Sequence, residues 1–363
     1  MARQAGQVST PLLENILAQA SALQSVAEYQ LGPGMPTLLR CAELLRKSKR
    51  IVLTGMGASL FACVPMRYTL AAKGIDVSVI ETAELLYFLE PLIDRDSVAI
   101  LVSRSGESIE TVKLLDRLDR CGCSTIGVVN VGGSTLAART TEHILLKSPA
   151  DELVAIQTYA ATVVTLLLLA ATYFDDLDVT KTELSWVINQ LSNWISQCVS
   201  VSETWKPFVD LKTPLYILGR GASLGSVDEG VLLMHEVAKT PATGMSVAQF
   251  RHGFVEAASD RVRAVIIGTQ PATLRLDRQF ALDLMRMGAA VRWIGAVDAG
   301  GVIPALGDWH DGIPARFACI FEALPLQMLA YRTAESRGIR PGLFRWASTV
   351  TASESGFAGL NAG

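Results

Sequence analysis

Two stretches of the chain, roughly 160 residues apart, have the same sequence pattern and form an internal repeat. Residues 50–59 read Arg-Ile-Val-Leu-Thr-Gly-Met-Gly-Ala-Ser, and residues 214–223 read Pro-Leu-Tyr-Ile-Leu-Gly-Arg-Gly-Ala-Ser. In each copy a short β-type apolar run leads into a glycine turn and then into a helical pattern. The repeat predicts a fold made of two similar halves, and a chain of 363 residues also exceeds what one hydrophobic core usually organises.

Strand and helix patterns alternate within both halves. The apolar runs, each separated from the next by a helical pattern, lie at 51–54, 98–102, 125–129, 214–219, 263–268 and 290–294. Such alternation is typical of parallel sheets with helices on both faces. The predicted fold class is therefore α/β, with two doubly wound, flavodoxin-like parallel-sheet domains in tandem.

The segments outside the sheets complete the predicted organisation. Helical patterns at 12–17 and 38–45 predict an N-terminal helical arm, and the pattern over 180–204 predicts a connector between the halves. The predicted units are an N-terminal helical arm at 1–45, a first domain at 46–178, a helical connector at 179–208, a second domain at 209–340 and a C-terminal tail at 341–363.

A serine-rich hexapeptide follows the strand predicted at 98–102. It reads Ser103-Arg104-Ser105-Gly106-Glu107-Ser108 and precedes a helical pattern over 109–120. The N–H groups of a helix start, together with nearby hydroxyls, favour an anion at one point in space. A single serine there would be an ordinary N-cap, but three serines and a glycine favour a phosphate-binding loop. The corresponding loop of the second half, Thr-Gln-Pro-Ala at 269–272, lacks the serines.

Composition and spacing argue against several other classes of protein. The formal net charge of −3 gives no footprint for nucleic acid. The apolar run over 160–174 is shorter than the roughly 20 residues of a membrane span, so it predicts a buried helix. The N-terminus shows no apolar core of a secretory signal, so a cytoplasmic protein is expected.

Neither a cofactor nor a metal is predicted. Gly55 and Gly57 lack the third glycine of the dinucleotide fingerprint, and Glu81 is the acidic residue that follows the next strand, so a nicotinamide cofactor is disfavoured. The six cysteines and four histidines have no metal-ligand spacing. Reduced, buried thiols are expected.

With its repeat, its serine loop and the segments 229–236 and 249–253, the chain resembles tandem sugar-isomerase (SIS) domain proteins. These include the isomerase half of glucosamine-6-phosphate synthase, free-standing glucosamine-6-phosphate deaminases and fructosamine deglycases. The resemblance covers about residues 35–351. It implies an SIS fold and a phosphosugar ligand, and it leaves the reaction open.

The resemblance also implies roles for individual residues. Glu236 matches the catalytic base, and His252 matches the histidine that opens the sugar ring from the neighbouring subunit of a homodimer. From the residues alone, a solvated helix residue is the favoured interpretation of Glu236, whereas His252 could equally be a hydrogen-bonded surface histidine. The segment 152–158 resembles one whose backbone contacts sugar hydroxyls, through Ala155 and Gln157. The residues that match the phosphate-binding set are Ser59, Ser103, Arg104, Ser105 and Ser108.

Departures from the family pattern affect the predicted reaction. Leu233 and Thr349 stand where the relatives have lysines, which weakens the case for amine chemistry; Lys239 could substitute only by reaching back one turn. No glutaminase domain precedes the SIS halves, so ammonia from glutamine is not expected. The predicted function is a phosphosugar isomerase or aminosugar-phosphate deaminase that works through an enediol or enolamine. The alternative is a catalytically weak phosphosugar-binding protein.

Overall fold

The computed structural model describes residues 10–296, 302–307, 309, 312–346, 351, 353 and 354. Its first three helices are α1 (Pro11–Leu17), α2 (Gln19–Leu31) and α3 (Met35–Lys47). The sequence predicted α1 and α3 but not α2, whose buried face is made mostly of alanines and glutamines and so gives a weak hydrophobic pattern. Both α2 and α3 pack on a later helix, α9 (Gln157–Tyr173).

The first sheet has five parallel strands in the order β2-β1-β3-β4-β5. The strands are β1 (Arg50–Gly55), β2 (Val77–Glu81), β3 (Ser97–Val102), β4 (Ser124–Val129) and β5 (Glu142–Leu145). The helices between and beside them are α4 (Ala58–Phe61), α5 (Val64–Ala71), α6 (Thr82–Tyr87), α7 (Ile109–Cys121) and α8 (Thr135–Arg139). The strands predicted at 51–54, 98–102 and 125–129 are confirmed, whereas the short edge strand β5 was missed.

The second sheet has four parallel strands in the order β7-β6-β8-β9, the same order as β2-β1-β3-β4. The strands are β6 (Leu215–Gly219), β7 (Ala242–Ser246), β8 (Arg263–Gly268) and β9 (Ala290–Gly295). The helices of this part are α10 (Leu177–Ser202), α11 (Lys206–Val209), α12 (Leu224–Glu236), α13 (Val247–Arg251), α14 (Leu274–Arg286) and α15 (Ala318–Ser336). The α/β class with parallel sheets is confirmed.

One continuous hydrophobic core joins the inner faces of the two sheets. It contains Leu53 and Ile100 of the first sheet, Ile217 and Val265 of the second, and the apolar side chains of α9 and α15. Successive strand residues point to opposite faces, so the alternate positions of each sheet form a separate outer core, against α7 and α8 in the first sheet and against α14 in the second.

The apolar segment 160–174 belongs to α9, which is buried along nearly its whole length. None of the described helices is both long enough and apolar enough to cross a bilayer. The prediction of a buried helix is therefore confirmed, and α9 packs on the helices α2, α3, α5 and α10.

Candidate active site

Two loops leave the carboxyl edge of the first sheet side by side. Gly55, the last residue of β1, is paired in parallel register with Val102, the last residue of β3. The loops 56–59 and 103–108 therefore start next to each other, as expected for ligand-binding loops of open α/β sheets. Both contribute residues to one cavity.

Hydrogen bonds within the loop 103–108 shape it before any ligand binds. The Gly106 N–H donates to Ser103 Oγ at 3.1 Å, and the Glu107 N–H donates to Ser105 Oγ at 3.2 Å. Because Ser105 Oγ accepts in the second of these contacts, its own O–H remains able to donate to an anion, while Ser103 Oγ also lies 3.4 Å from Ser108 Oγ and either of those two hydroxyls can donate. The φ of Gly106 is +69°, and a Cβ there would lie 2.2 Å from Ser134 Oγ, so this position requires glycine.

The one acidic side chain of the loop is turned away from this donor cluster. The Glu107 carboxylate accepts two hydrogen bonds from Thr135, the first residue of α8. The Thr135 N–H donates at 2.6 Å and the Thr135 hydroxyl donates at 2.8 Å. The start of α7 lies beside the loop, with Ser108 as the residue before its first turn. The loop thus presents its serine hydroxyls beside the start of α7 with its own carboxylate turned aside, an arrangement suited to an anion.

A cavity of about 250 Å³ opens above these loops. It is lined by the following predicted residues and their neighbours: Met56, Gly57, Ala58, Ser59, Val102, Ser103, Arg104, Ser105, Ser108, Thr111, Leu153, Ala155, Leu232, Glu236, Phe344 and Thr351. The structure therefore brings together all five residues predicted for phosphate binding, Ala155 and Glu236. The predicted base thus shares one cavity with the hydroxyl-rich loop.

Glu236 is the last residue of α12 and reaches the cavity from the second half of the chain. Burial raises its pKa to about 7, while the positive charges of Lys239 and Arg104 act in the opposite direction. A carboxyl group with such a pKa exchanges a proton readily near neutral pH. Lys239 does reach back, but its Nζ donates to the backbone carbonyl of Glu236, and Leu233 is buried in the core.

Two predicted residues lie outside the cavity lining of a single chain. Gln157 is buried, and its Nε2 contacts Asn15 Oδ1 at 3.3 Å and Asp151 Oδ1 at 3.4 Å. His252 is exposed at the end of α13 in the second half. The resemblance assigned His252 to the site of a neighbouring subunit, so its position within one chain agrees with that prediction without testing it.

The C-terminal tail reaches the same cavity. The Thr351 carbonyl accepts from the N–H of Ile109, the first residue of α7, at 3.0 Å. Further along, both carboxylate oxygens of Glu354 accept from the Tyr87 hydroxyl, at 2.8 and 2.7 Å. Thr349, predicted to replace a family lysine, lies outside the described residues.

A larger cleft of about 1150 Å³ lies between α10, α11 and α15, and none of the predicted site residues lines it. Its guanidinium groups are engaged with neighbouring side chains: Arg332 pairs with Glu335 at 2.8 Å and donates to Ser202 Oγ at 2.9 Å. Charges of both signs line this cleft, so it offers no convergent set of donors comparable to the serine loop.

Comparison with known proteins identifies the first half. The family model described as SIS domain matches residues 44–173, the part that contains the first sheet and the serine loop. Residues 44–173 form an SIS domain. The resemblance predicted from the sequence is therefore confirmed.

The curated relatives that match the chain include glutamine–fructose-6-phosphate aminotransferases. The chain is 28% identical, over 83% of its length and 51% of the relative, to a glutamine–fructose-6-phosphate aminotransferase [isomerizing] of Pyrococcus horikoshii. It therefore spans about half the length of the curated relatives it matches.

Two solved structures share the fold. The C-terminal domain of glucosamine-fructose-6-phosphate aminotransferase from Francisella tularensis superposes with a TM-score of 0.78 at 19% identity, covering 93% of this chain and 99% of that one. A glucosamine-6-phosphate deaminase from Thermotoga maritima superposes with a TM-score of 0.76 at 19% identity, covering 94% and 99%.

One residue of the SIS domain that shapes the cavity was not predicted from the sequence. Asp151 is buried and accepts hydrogen bonds from the N–H groups of Ile156 at 3.0 Å, Gln157 at 3.0 Å and Thr158 at 2.9 Å, where α9 starts. It thereby fixes the loop whose Ala155 lines the cavity. An acidic residue shortly before an apolar helix is the available signal, and it resembles any N-terminal cap.

Proposed function

We propose that the chain is a phosphosugar isomerase-type enzyme that acts on a ketose or amino-sugar 6-phosphate. The observation that carries the proposal is that one cavity of about 250 Å³ holds both the serine loop and Glu236. A phosphate anchored at the loop would leave the sugar carbons facing a carboxylate able to move a proton. The names of the homologous aminotransferase and of the structurally similar deaminase support this class of substrate.

The phosphate would bind at the carboxyl edge of the first sheet. Ser59 comes from the first loop, and Ser103, Ser105 and Ser108 come from the second. Arg104 supplies a positive charge at the same cavity, and its Nη1 donates to the Leu153 carbonyl at 3.1 Å, which fixes its direction. The α7 dipole adds to this attraction.

The chemical step would be a proton transfer between C1 and C2. Glu236 removes the C2 proton of the open-chain aldose, the C2–H electrons form the C1=C2 double bond, and the carbonyl oxygen takes up a proton, which gives an enediol. Return of the proton to C1, with loss of the O2 proton, gives the ketose. The pKa of Glu236, raised to about 7 by burial, suits a group that must both accept and return a proton.

The sugar would lie between the loop 152–156 and α12. Ala155 stays the candidate for backbone contacts with sugar hydroxyls. The N–H of Gln157 is already engaged with Asp151, so we assign Gln157 a structural part in holding this loop. Leu233 in the core leaves no amine at the position where relatives have a lysine, which favours the enediol route over amine transfer.

The proposal extends to the second half and to the assembly. The shared strand order supports a second SIS domain at 209–340 after the first at 46–178, with the arm at 1–45, the connector at 179–208 and the tail at 341–363 as separate units. His252 would open the sugar ring in the cavity of a second copy, so the working form would be a homodimer. Its exposed position on α13 allows that contact.

The test is hydrogen exchange at the carbon that loses its proton, which is C2 of an aldose or amino-aldose and C1 of a ketose, because C2 of a ketose carries no hydrogen. Wild type, Glu236→Gln and the control Glu43→Gln, which removes an exposed carboxylate of α3, are incubated in heavy water with a panel of hexose and amino-hexose 6-phosphates. We expect exchange by wild type and the control, and a loss of about 10²–10⁴-fold in Glu236→Gln.

Two results would change the assignment. Equal exchange by wild type and Glu236→Gln would show that Glu236 is not the base. Tight binding of a 6-phosphate without exchange on any sugar of the panel would favour the phosphosugar-binding alternative.

A further inference from the structure

The carboxyl edge of the second sheet keeps two hydroxyl positions of the first, although the loop after β8 lacks the serine cluster. β6 and β8 are parallel neighbours, so the loops that follow them start side by side. Ser223 ends the repeated Gly-Ala-Ser turn, as Ser59 does in the first half, and Thr269 directly follows β8, as Ser103 follows β3. By its sequence pattern and topology, this edge is a second candidate for anion binding.

A side chain of the chain itself fills this second position. Glu322 of α15 is fully buried, at 0% exposure. Its Oε1 accepts from Ser223 Oγ at 2.8 Å and from Thr269 Oγ1, and its Oε2 accepts from Ser226 Oγ at 2.6 Å. Gln270 Nε2 donates to Ser223 Oγ at 3.0 Å, which leaves the Ser223 hydrogen directed at Glu322. Three hydroxyls thus converge on one carboxylate.

The same carboxylate lies at the start of α12. Ser223 immediately precedes that helix and Ser226 is in its first turn, so Glu322 meets the positive end of the helix dipole. Burial raises the pKa of Glu322, and the hydrogen bonds from Ser226, Thr269 and Ser223 oppose that rise. The arrangement has the components of an anion site, namely convergent hydroxyls and a helix start, with the anion supplied by α15.

We propose that Glu322 is a resident anion of the second half, that is, a carboxylate of the chain itself that fills an anion site. It occupies at the second sheet the place that a ligand phosphate takes at the first. Each chain is then left with one phosphosugar site. The comparison with the first sheet rests on the proposed function. The resident anion itself does not, because it is defined by the hydrogen bonds of Glu322 within this chain.

The first experiment measures thermal unfolding of wild type, Glu322→Gln, Glu322→Ala and the control Glu335→Gln, which removes an exposed carboxylate of the same helix. We expect a lower Tm for both Glu322 variants, because the amide keeps the size of the side chain but loses the charge that the three hydroxyls and the helix start stabilise. The Tm of the control should stay close to that of wild type. Glu322→Gln as stable as wild type would overturn the proposal.

The second experiment restores the anion from solution. Acetate or formate, at constant ionic strength, should raise the Tm of Glu322→Ala in proportion to the logarithm of its concentration once it saturates the site. Neutral acetamide should not do so, and wild type should not respond to any of the three. Equal responses of Glu322→Ala to acetate and acetamide would overturn the proposal. If Glu322→Ala does not fold, the comparison of Glu322→Gln with wild type decides.

The third experiment counts sites by titration calorimetry with fructose 6-phosphate. We expect one bound molecule per wild-type chain. Two per chain would overturn the proposal, because the second edge would then be open. A complete failure to bind would contradict the proposed function instead, and the unfolding experiments, which need no substrate, would still decide whether Glu322 is the resident anion.

Discussion

Replacement of Asp151 by asparagine tests how the loop beside the cavity is held. Oδ2 of Asp151 accepts from the N–H groups of Ile156 and Thr158 and from the Thr158 hydroxyl at 2.6 Å, while Oδ1 accepts from the Gln157 N–H at 3.0 Å. The asparagine side chain has only one oxygen. If that oxygen takes the place of Oδ2, which accepts most of the hydrogen bonds, the NH2 group takes the place of Oδ1 and faces the N–H of Gln157. The variant loses at least one backbone hydrogen bond to a charged group and leaves that buried donor unpaired.

The expected cost follows from these contacts. One lost hydrogen bond to a charged acceptor costs about 1.5–3 kcal/mol, and the remaining bonds weaken because their acceptor is no longer ionised. We expect Asp151→Asn to lower the free energy of unfolding by about 2–4 kcal/mol in urea titrations. The control Asp178→Asn, whose side chain is fully exposed, should change it by less than about 0.5 kcal/mol.

Ligand binding adds a second, independent readout. Because Asp151 fixes the loop that carries Ala155, and does not line the phosphate end of the cavity, the variant should bind sugar phosphate more weakly while its affinity for inorganic phosphate stays near that of wild type. Calorimetry with both ligands separates the two effects. Unfolding and binding of Asp151→Asn that match wild type would refute the assigned role of this carboxylate.

Further tests address residues of the cavity and the proposed dimer. The exchange rate at C2 of an aldose should rise with pH through about 7, because Glu236 must be ionised to accept a proton and burial raises its pKa to about 7; a profile centred near the ordinary value of 4.5 would contradict this. Ser105→Ala should weaken binding of fructose 6-phosphate by about 10–150-fold in calorimetry, and unchanged affinity would remove Ser105 from the site. Mixing Glu236→Gln chains with His252→Asn chains should restore part of the activity through hybrid sites, whereas a monomer in sedimentation would argue against shared sites.

The sequence predicted the parts of the fold that are governed by local pattern. The strand, turn and helix around the loop 103–108 follow from an apolar run, a glycine and helical spacing, all within about 25 residues. β7 was missed because Ala-Thr-Gly-Met-Ser has neither alternation nor strong β propensity. It forms because β6 offers it a parallel edge in register.

The polar residues that the sequence missed act over long separations. Glu322 meets Ser223, which is 99 residues away in the chain, and neither position is distinctive by itself. Asp151 acts locally, but its spacing to α9 is that of any helix start. The position of Glu236 could be predicted through a family pattern, whereas its raised pKa depends on burial that only the packed structure reveals.

Because α12 is synthesised before α15, the contact between the two helices can form only after the second of them has been made. α12 packs on α15, the last helix described, which leaves the ribosome many residues after α12 itself. At about 5–20 residues per second, this delay amounts to several seconds. During that interval α12 lacks the apolar side chains of α15 that pack against it. It also lacks the Glu322 carboxylate, which accepts hydrogen bonds at the start of α12. A nascent or truncated chain that stops before Ala318 would therefore be without a fixed Glu236, so the cavity is complete only after α15 has been synthesised.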